Sequence, residues 1–410
     1  MQCDVLVLGA GPAGSALAQR LARDGFHTVL ADKKAFPRDK PCGEFLSPEC
    51  TPLLRELDLA EPLEALGPRL VRGMHLHGYG REARGRFRPV GAHAATAGQG
   101  FAVRRSRFDA LLVDAAARAG ATWLPRHEFT ALDHDADGRV VGAQLRTPDG
   151  AVVRCAARWV VGADGVHSRV ARALDVQRPT PWLDRFALVA HYRGVAAAPL
   201  AEAHLFPGGF FAATTVDEGL FSVNLIVPRT SLRQRDGADW DTFVAAYFDR
   251  APAFAERLRS ARRTTAWRGI GPLAHTTTRQ TFAGAALVGD ACGYVDPLTG
   301  EGIYFALVGA RALGDALTAA LHAPAATDLA LAGYRAARRR EIAPRLAAST
   351  LLQRALRHPW LVRRFLAACA RWPALADLVV TLTGDAAHPR DLLRPSFWRA
   401  FHRAVPEPLS

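Results

Sequence analysis

The 410-residue chain has six cysteines, Cys3, Cys42, Cys50, Cys155, Cys292 and Cys369, with no CxxC pair and no regular spacing. That excludes a disulfide frame and a cysteine-based zinc site, and the thiols read as reduced. No metal site is expected. No run of about 18 uninterrupted apolar residues occurs, so no transmembrane helix is expected. Residues 1–8 are apolar but carry Asp4 and lack a basic leader, so they do not read as a signal peptide. A cytoplasmic location is the default expectation. Lysine is scarce, occurring only as Lys33, Lys34 and Lys40. The net charge of +13 is therefore mostly arginine, and it favours anionic ligands, nucleic acid or an anionic membrane surface. There is no internal repeat and no low-complexity linker.

What is present suits a folded enzyme-sized chain. Hydrophobic residues make up 49% and charged residues 22%, which excludes a disordered chain, a collagen and a coiled-coil rod. At about 100–200 residues per domain, the length suggests two or three domains.

The N-terminus reads as strand, tight turn, helix and strand. Residues 4–8 are β-formers, 15–24 are rich in Ala and Leu, and 27–31 form a second strand. Between them lies Gly9-Ala10-Gly11-Pro12-Ala13-Gly14. Gly9 permits the turn, Gly11 lets backbone approach a pyrophosphate, and Gly14 lets helix pack on sheet. Asp32 ends the second strand, at about the 20-residue interval of a ribose-binding carboxylate. The bland alternative is a glycine turn in an ordinary α/β unit. Strand, helix and acid together favour a dinucleotide.

Residues 33–52 read as an ordered loop or broken helix, and 108–120 as a helix. Residues 139–145 and 151–156 read as a hairpin around Thr147-Pro148-Asp149-Gly150, followed by a separate buried strand at 159–164. Between about 180 and 270 strands dominate, at 186–192, 209–216 and 220–227, and suggest a separate antiparallel sheet. A further strand is expected at 285–289. From about 328 the chain reads as helical and arginine-rich.

Two more polar turns follow buried strands. One is Gly162-Ala163-Asp164-Gly165. The other is Gly289-Asp290, continued by Pro297-Leu298-Thr299-Gly300-Glu301-Gly302-Ile303. Glycine turn, Asp-Gly and Gly-Asp in this order resemble the FAD-dependent monooxygenases and reductases of the p-hydroxybenzoate hydroxylase-like fold, over about residues 1–325. The third segment, with Lys40-Pro41-Cys42-Gly43-Glu44, looks most like the geranylgeranyl reductase branch. Residues 41–49 also look like flavoprotein monooxygenases acting on polyketides.

The resemblance implies an α/β fold. A discontinuous Rossmann-like FAD-binding domain would use 1–72, 100–175 and 275–327. An antiparallel β-sheet substrate domain would use 73–99 and 176–274, and a helical C-terminal region 328–410. It also implies that Gly9, Gly11, Pro12, Ala13, Gly14 and Asp32 hold the ADP half of FAD. Arg105 would lie near the phosphates or ribityl chain, with Arg104 and Arg107 as rivals for that role. Asp164 and Gly165 would contact FAD or nicotinamide. Gly289 and Asp290 would serve the ribityl hydroxyls. Gly300, Glu301, Gly302 and Ile303 would face the flavin pyrimidine edge, and Pro297 the flavin face. Cys42 and Gly43 would sit near the isoalloxazine.

Catalytic residues are not identified by the sequence. Cys42, Glu301 and His191 are weak candidates, each with a structural alternative: a small hydrophobe, a helix cap and a sheet residue. No second glycine turn in a βαβ setting appears, so NAD(P)H is expected as a transient donor. The WxWxIP signature of flavin-dependent halogenases is absent, and so is a clear reductase motif in the substrate sheet.

The expected activity is monooxygenation of an apolar or aromatic metabolite, polyketide products included, through a flavin C4a-hydroperoxide. The alternative is reduction of carbon–carbon double bonds in a lipid or polyene. A third reading is a non-catalytic FAD-binding module. Trp360, Phe365, Trp372 and Phe397, set among arginines, suggest either peripheral membrane contact or, preferably, a helical cap on the substrate domain. Nucleic acid is not an expected partner, since no such motif is present.

Overall fold

Alternation along the strand Gln2–Leu8 decides which layer each side chain enters. Val5 and Val7 face one side, Leu6 and Leu8 the other, and all four are buried. A strand covered on both faces must be apolar throughout, as parallel sheets require. Its neighbours Thr28–Asp32 and Val152–Gly162 run parallel to it, with Leu6 opposite Val29 and Val160. Thr122–Pro125 extends the sheet on one side and Ala285–Leu287 on the other. We describe residues 1–88, 90, 98–235, 237, 239–322 and 328–404 from a computed structural model.

The expected break between 151–156 and 159–164 does not exist. One eleven-residue strand, Val152–Gly162, serves two settings. Its first half pairs with Val140–Arg146 and exposes alternate residues, while its second half enters the parallel sheet and is buried throughout. The side-chain pattern changes although the backbone continues, so the change in pattern reads falsely as a boundary.

Helices Pro12–Arg23, Arg105–Arg118 and Gly302–His322 cover the Val5 face. Leu17, Leu21, Phe108, Leu112, Leu313 and Leu317 pack there with Trp159. Gly302–His322 is long and apolar enough to cross a membrane by length and composition. Most of it is buried in this core, and Thr318 Oγ1 donates to Asp24 Oδ2 at 2.7 Å at the end of the helix Pro12–Arg23.

The second sheet runs in the order Arg262–Arg263, Arg185–Arg193, Phe221–Pro228, Gly209–Thr215, Ala201–Phe206, Gly73–Gly78, Arg81–Arg86. It is not wholly antiparallel as expected. Ala201–Phe206 and Gly73–Gly78 pair in parallel. These two strands come from distant parts of the chain, so no hairpin constrains their direction.

Helices Pro359–Arg371 and Pro373–Thr383 lie against this sheet. A Cβ at Gly85 would collide with the backbone carbonyl of Ala376, so glycine allows the close approach. Arg88 donates to Asp377 Oδ2 through Nε at 3.0 Å and Nη2 at 2.7 Å, tying the C-terminal helices to the sheet edge. The aromatic residues of this region divide. Phe397 is buried and Phe365 packs on the sheet, whereas Trp360 and Trp372 are exposed.

Candidate functional site

The carboxyl ends of the parallel strands open onto two adjoining clefts. In open α/β sheets ligands bind at this edge. One cleft, counted with the open solvent at its mouth, spans about 1080 Å³ and is roofed by Ala187, Val189, Ala212, Asn224 and Ile226 of the second sheet. The other, counted in the same way, spans about 1050 Å³ and is lined by Asp32, Lys33, Arg38 and Asp164. Gly11, Lys40, Ala163 and Gly165 line both. The shape suits an elongated ligand whose middle lies at Gly11.

Three glycines make that middle possible for different reasons. Gly9 has φ +108° and a Cβ there would collide with the Ala163 carbonyl. A Cβ at Gly14 would collide with the carbonyl of Gly9. At Gly11 a Cβ would instead point into the clefts, with only the Arg38 guanidinium within 4 Å, at 3.9 Å. The helix Pro12–Arg23 begins there with no side-chain cap and no acid in its first turn. Its free N–H groups and dipole favour an anion. Asp32 Oδ2 accepts from Ala10 N at 2.9 Å and Oδ1 from Lys34 N at 2.8 Å, which fixes the carboxylate at the mouth of the second cleft.

Cations converge on the same place. Arg105 is buried and its Nε and Nη2 donate to Asp109 at 2.7 and 2.8 Å, which aims the guanidinium along the cleft wall. Arg104 and Arg107 turn away and bind Asp217, at 2.8 Å each. Of the three arginines only Arg105 lines the cleft. Lys40 lines it too, and burial followed by the field of Arg105 pulls its ammonium below the usual range. An anion would relieve that repulsion.

The two aspartates play different parts. Asp164 Oδ2 accepts from the backbone of Arg169 at 2.6 Å and Val170 at 3.3 Å, and Oδ1 accepts from Ser168. Its carboxylate takes the first N–H groups of the helix Arg169–Ala173, whose N-cap is Ser168, and neighbouring Gly165, φ +81°, gives the cleft its backbone edge. Asp290 lines the first cleft, and its backbone carbonyl accepts from His275 Nε2 at 3.0 Å. Gly289, φ +64°, holds this turn against Ala13 of the dinucleotide helix.

Asp296 shapes the loop that follows. Its Oδ1 accepts from Leu298 N at 2.9 Å and caps the turn Pro297–Thr299. Burial pushes its carboxyl up to about 6. Gly300, φ +71°, lies over the Phe45 ring. Pro297, Gly300, Gly302 and Ile303 line the cleft, and the 21-residue helix Gly302–His322 starts there, presenting the positive end of its dipole.

Glu301 is in neither cleft. It enters a buried cluster with Asp385 and Arg345, where desolvation and then Asp385 push its carboxyl well above the usual range. Cys42 and Gly43 do line the first cleft, and Cys42 Sγ accepts from Glu44 N at 3.4 Å. His191 stands behind the wall. Its Nε2 donates to Glu44 Oε2 at 2.7 Å, and its Nδ1 lies 3.5 Å from Thr265 Oγ1.

Glu44 is the residue the sequence reading missed. It lines the cleft, is buried, and has φ +59°. A non-glycine residue in that region costs on the order of 1 kcal/mol and points to a local demand on the loop. Its Oε1 accepts from Arg105 N at 3.2 Å. The signal was available in Lys40-Pro41-Cys42-Gly43-Glu44, where the acid follows the two residues assigned to the isoalloxazine.

A family model described as an FAD binding domain matches residues 2–349. The chain belongs to that family. Its fold is p-hydroxybenzoate hydroxylase-like and its cofactor is FAD. The flavoprotein is 29% identical over 343 residues to a menaquinone reductase of Mycolicibacterium smegmatis, covering 77% of this chain and 76% of that one. It is also 29% identical to digeranylgeranylglycerophospholipid reductase 2 of Methanopyrus kandleri, covering 78% of each. Among solved structures it resembles the myxobacterial chondrochloren halogenase, with TM-score 0.75 and 26% identity, covering 83% of this chain and 80% of that one.

The residues present fit FAD. The open Cβ position of Gly11, the uncapped helix start and the clustered Lys40 and Arg105 suit a pyrophosphate. Asp32 and Asp290 offer carboxylates in the second and first clefts, for a ribose and a ribityl chain.

Proposed function

We propose that this flavoprotein oxygenates a lipophilic molecule that carries a flat, ionisable ring. Bound FAD supplies the redox chemistry, with NAD(P)H as a transient electron donor. One observation carries the reading: Glu44 lines the cleft opposite small apolar residues and is held by His191 at 2.7 Å. Ala187, Val189 and Ala212 leave room for a ring, and the apolar roof keeps water from it. The Glu44 carboxylate takes a proton from the ring hydroxyl, which makes the ring electron-rich. The His191 Nε2–H steadies the carboxylate and Arg105 N–H fixes its other oxygen. Gly302 and Ile303 contribute backbone N–H groups that favour negative charge on the pyrimidine edge, with no reorganisation needed.

A small apolar chamber lies between the second sheet and the C-terminal helices, lined by Met74, Leu76, Leu205, Leu298, Leu356 and Phe365 among others, and would take the start of a substrate's tail. Its exposed lining is wholly apolar. That chamber, with the names of the two reductase relatives, favours a second reading: reduction of a double bond in an isoprenoid chain. Anaerobic turnover separates the two. Product formed from an alkylated phenol only when oxygen is present supports oxygenation. Product formed from a polyene without oxygen overturns it in favour of reduction. Peripheral contact with a lipid surface belongs to either reading, carried by exposed Trp360 and Trp372. Liposome flotation that is unchanged in W360A/W372A removes it.

A further inference from the structure

The face of the second sheet turned away from the cleft carries a cluster that flavin chemistry does not use. Period-two alternation places His75 and His77 of Gly73–Gly78 on one side, with Glu202 and His204 of Ala201–Phe206 and Glu82 of Arg81–Arg86. Register completes the grouping. His77 lies opposite His204 in the parallel pair and opposite Glu82 in the antiparallel pair.

The geometry is close. The rings of His77 and His204 stack with centroids 4.3 Å apart and planes within 3°. The centroids of His75 and His77 are 3.7 Å apart. His204 Nε2 lies 3.0 Å from Glu202 Oε2. One ligand atom from each of His77, Glu202 and His204 lies within 4.8 Å of the others, and the same holds for His75, His77 and Glu82.

We propose that His77, His204 and Glu202 bind one divalent transition-metal ion of the zinc class, with His75 and Glu82 on the solvent side of the site. Two imidazoles and a carboxylate form a borderline-soft ligand set that suits such an ion. Tetrahedral bonds of about 2.0–2.1 Å need ligand atoms roughly 3.3 Å apart, so an ion would draw the inner three together from within their present 4.8 Å and turn the stacked rings. Arg257 Nη1 holds Glu202 Oε1 at 2.6 Å, which leaves Oε2 directed at His204. Such an outer partner orients a ligand and tunes the ion. His204 and Glu202 are buried, and His77 is half-buried, so the ion enters from the Glu82 side. The ion would pin the parallel pair that joins residues 73–86 to the rest of the sheet.

The test uses tag-free holoprotein, dialysed against chelator and titrated with Co²⁺ and with Zn²⁺. The expected result is one equivalent of Co²⁺ per chain, with visible bands of a four-coordinate nitrogen and oxygen site. Zn²⁺ should displace it and raise the unfolding midpoint. H77Q, whose side chain is half-buried, should weaken binding at least about tenfold while far-ultraviolet circular dichroism and FAD content stay unchanged. E202Q serves as the second variant if H77Q does not fold. Absence of stoichiometric binding overturns the proposal, as does equal binding by the folded variant.

Discussion

Glu44 and His191 meet at 2.7 Å across the junction of the two sheets, although 147 residues separate them in the chain. Glu44 belongs to the loop beside Cys42 and Gly43, and His191 to the strand Arg185–Arg193 that roofs the cleft. The pair thus ties the loop of residues 40–44 to the sheet that roofs the cleft.

If Glu44 takes the substrate proton, E44Q should keep FAD and lose turnover by about 10²-fold or more, the usual scale for a positioned base. Steady-state rates against a series of phenols check this. The deficit should shrink as the phenol becomes more acidic. A uniform loss across the series would assign Glu44 to loop geometry alone.

If Asp290 and the glycine turn hold FAD, losing either should weaken its retention. D290A should weaken FAD affinity by about 1–3 kcal/mol, the scale of a lost hydrogen bond to a charged group. G14V should abolish FAD retention, because its side chain enters the space of the Gly9 carbonyl. Fluorescence titration of deflavinated protein reads both. Unchanged affinity in D290A would remove it from the ribityl contacts.

Arg105 and Arg104 should separate by stability. R105A leaves Asp109, whose side chain is fully buried, with Arg38 at 3.5 Å in place of its two short bonds to Arg105, and should cost about 3 kcal/mol. R104A leaves Asp217 with Arg107 still 2.8 Å away and should cost less. Urea unfolding of the two variants gives the order.

Asp296 gives a pH signature. Burial pushes its carboxyl up to about 6 in the folded chain, above an unfolded value of about 3.9. The folded state therefore binds more protons between about 4 and 6, and stability contributed by this group falls as pH rises through that window. Above about 6 the loss is complete. D296N should flatten this part of the stability–pH curve, measured by thermal unfolding at fixed ionic strength. An unaltered slope would show that Asp296 ionises normally.

The turn at residues 9–14, the strand end at Asp32 and the cleft-lining positions of Pro297, Gly300, Gly302 and Ile303 follow from local spacing, and the structure sets them along the two clefts. Spacing within a few residues sets a turn, a helix start and a free N–H. Four features were not legible. The Glu44–His191 pair depends on sheet docking. The burial of Glu301 depends on Arg345 and Asp385, which lie in the C-terminal region and form an ion pair at 3.1 Å. The parallel pairing of Gly73–Gly78 with Ala201–Phe206 has no sequence signature, since direction is set by the path of the whole chain. The choice among Arg104, Arg105 and Arg107 also needed the fold, because Asp109 holds Arg105 while Asp217 and Glu218 hold Arg104 and Arg107.

The most direct test of the account is a single turnover of reduced holoenzyme with an alkylated phenol under isotopically heavy oxygen gas, with product mass read by spectrometry. The account predicts one heavy oxygen atom in the product and no product when oxygen is withheld. A product that gains two hydrogens and no heavy oxygen would contradict it.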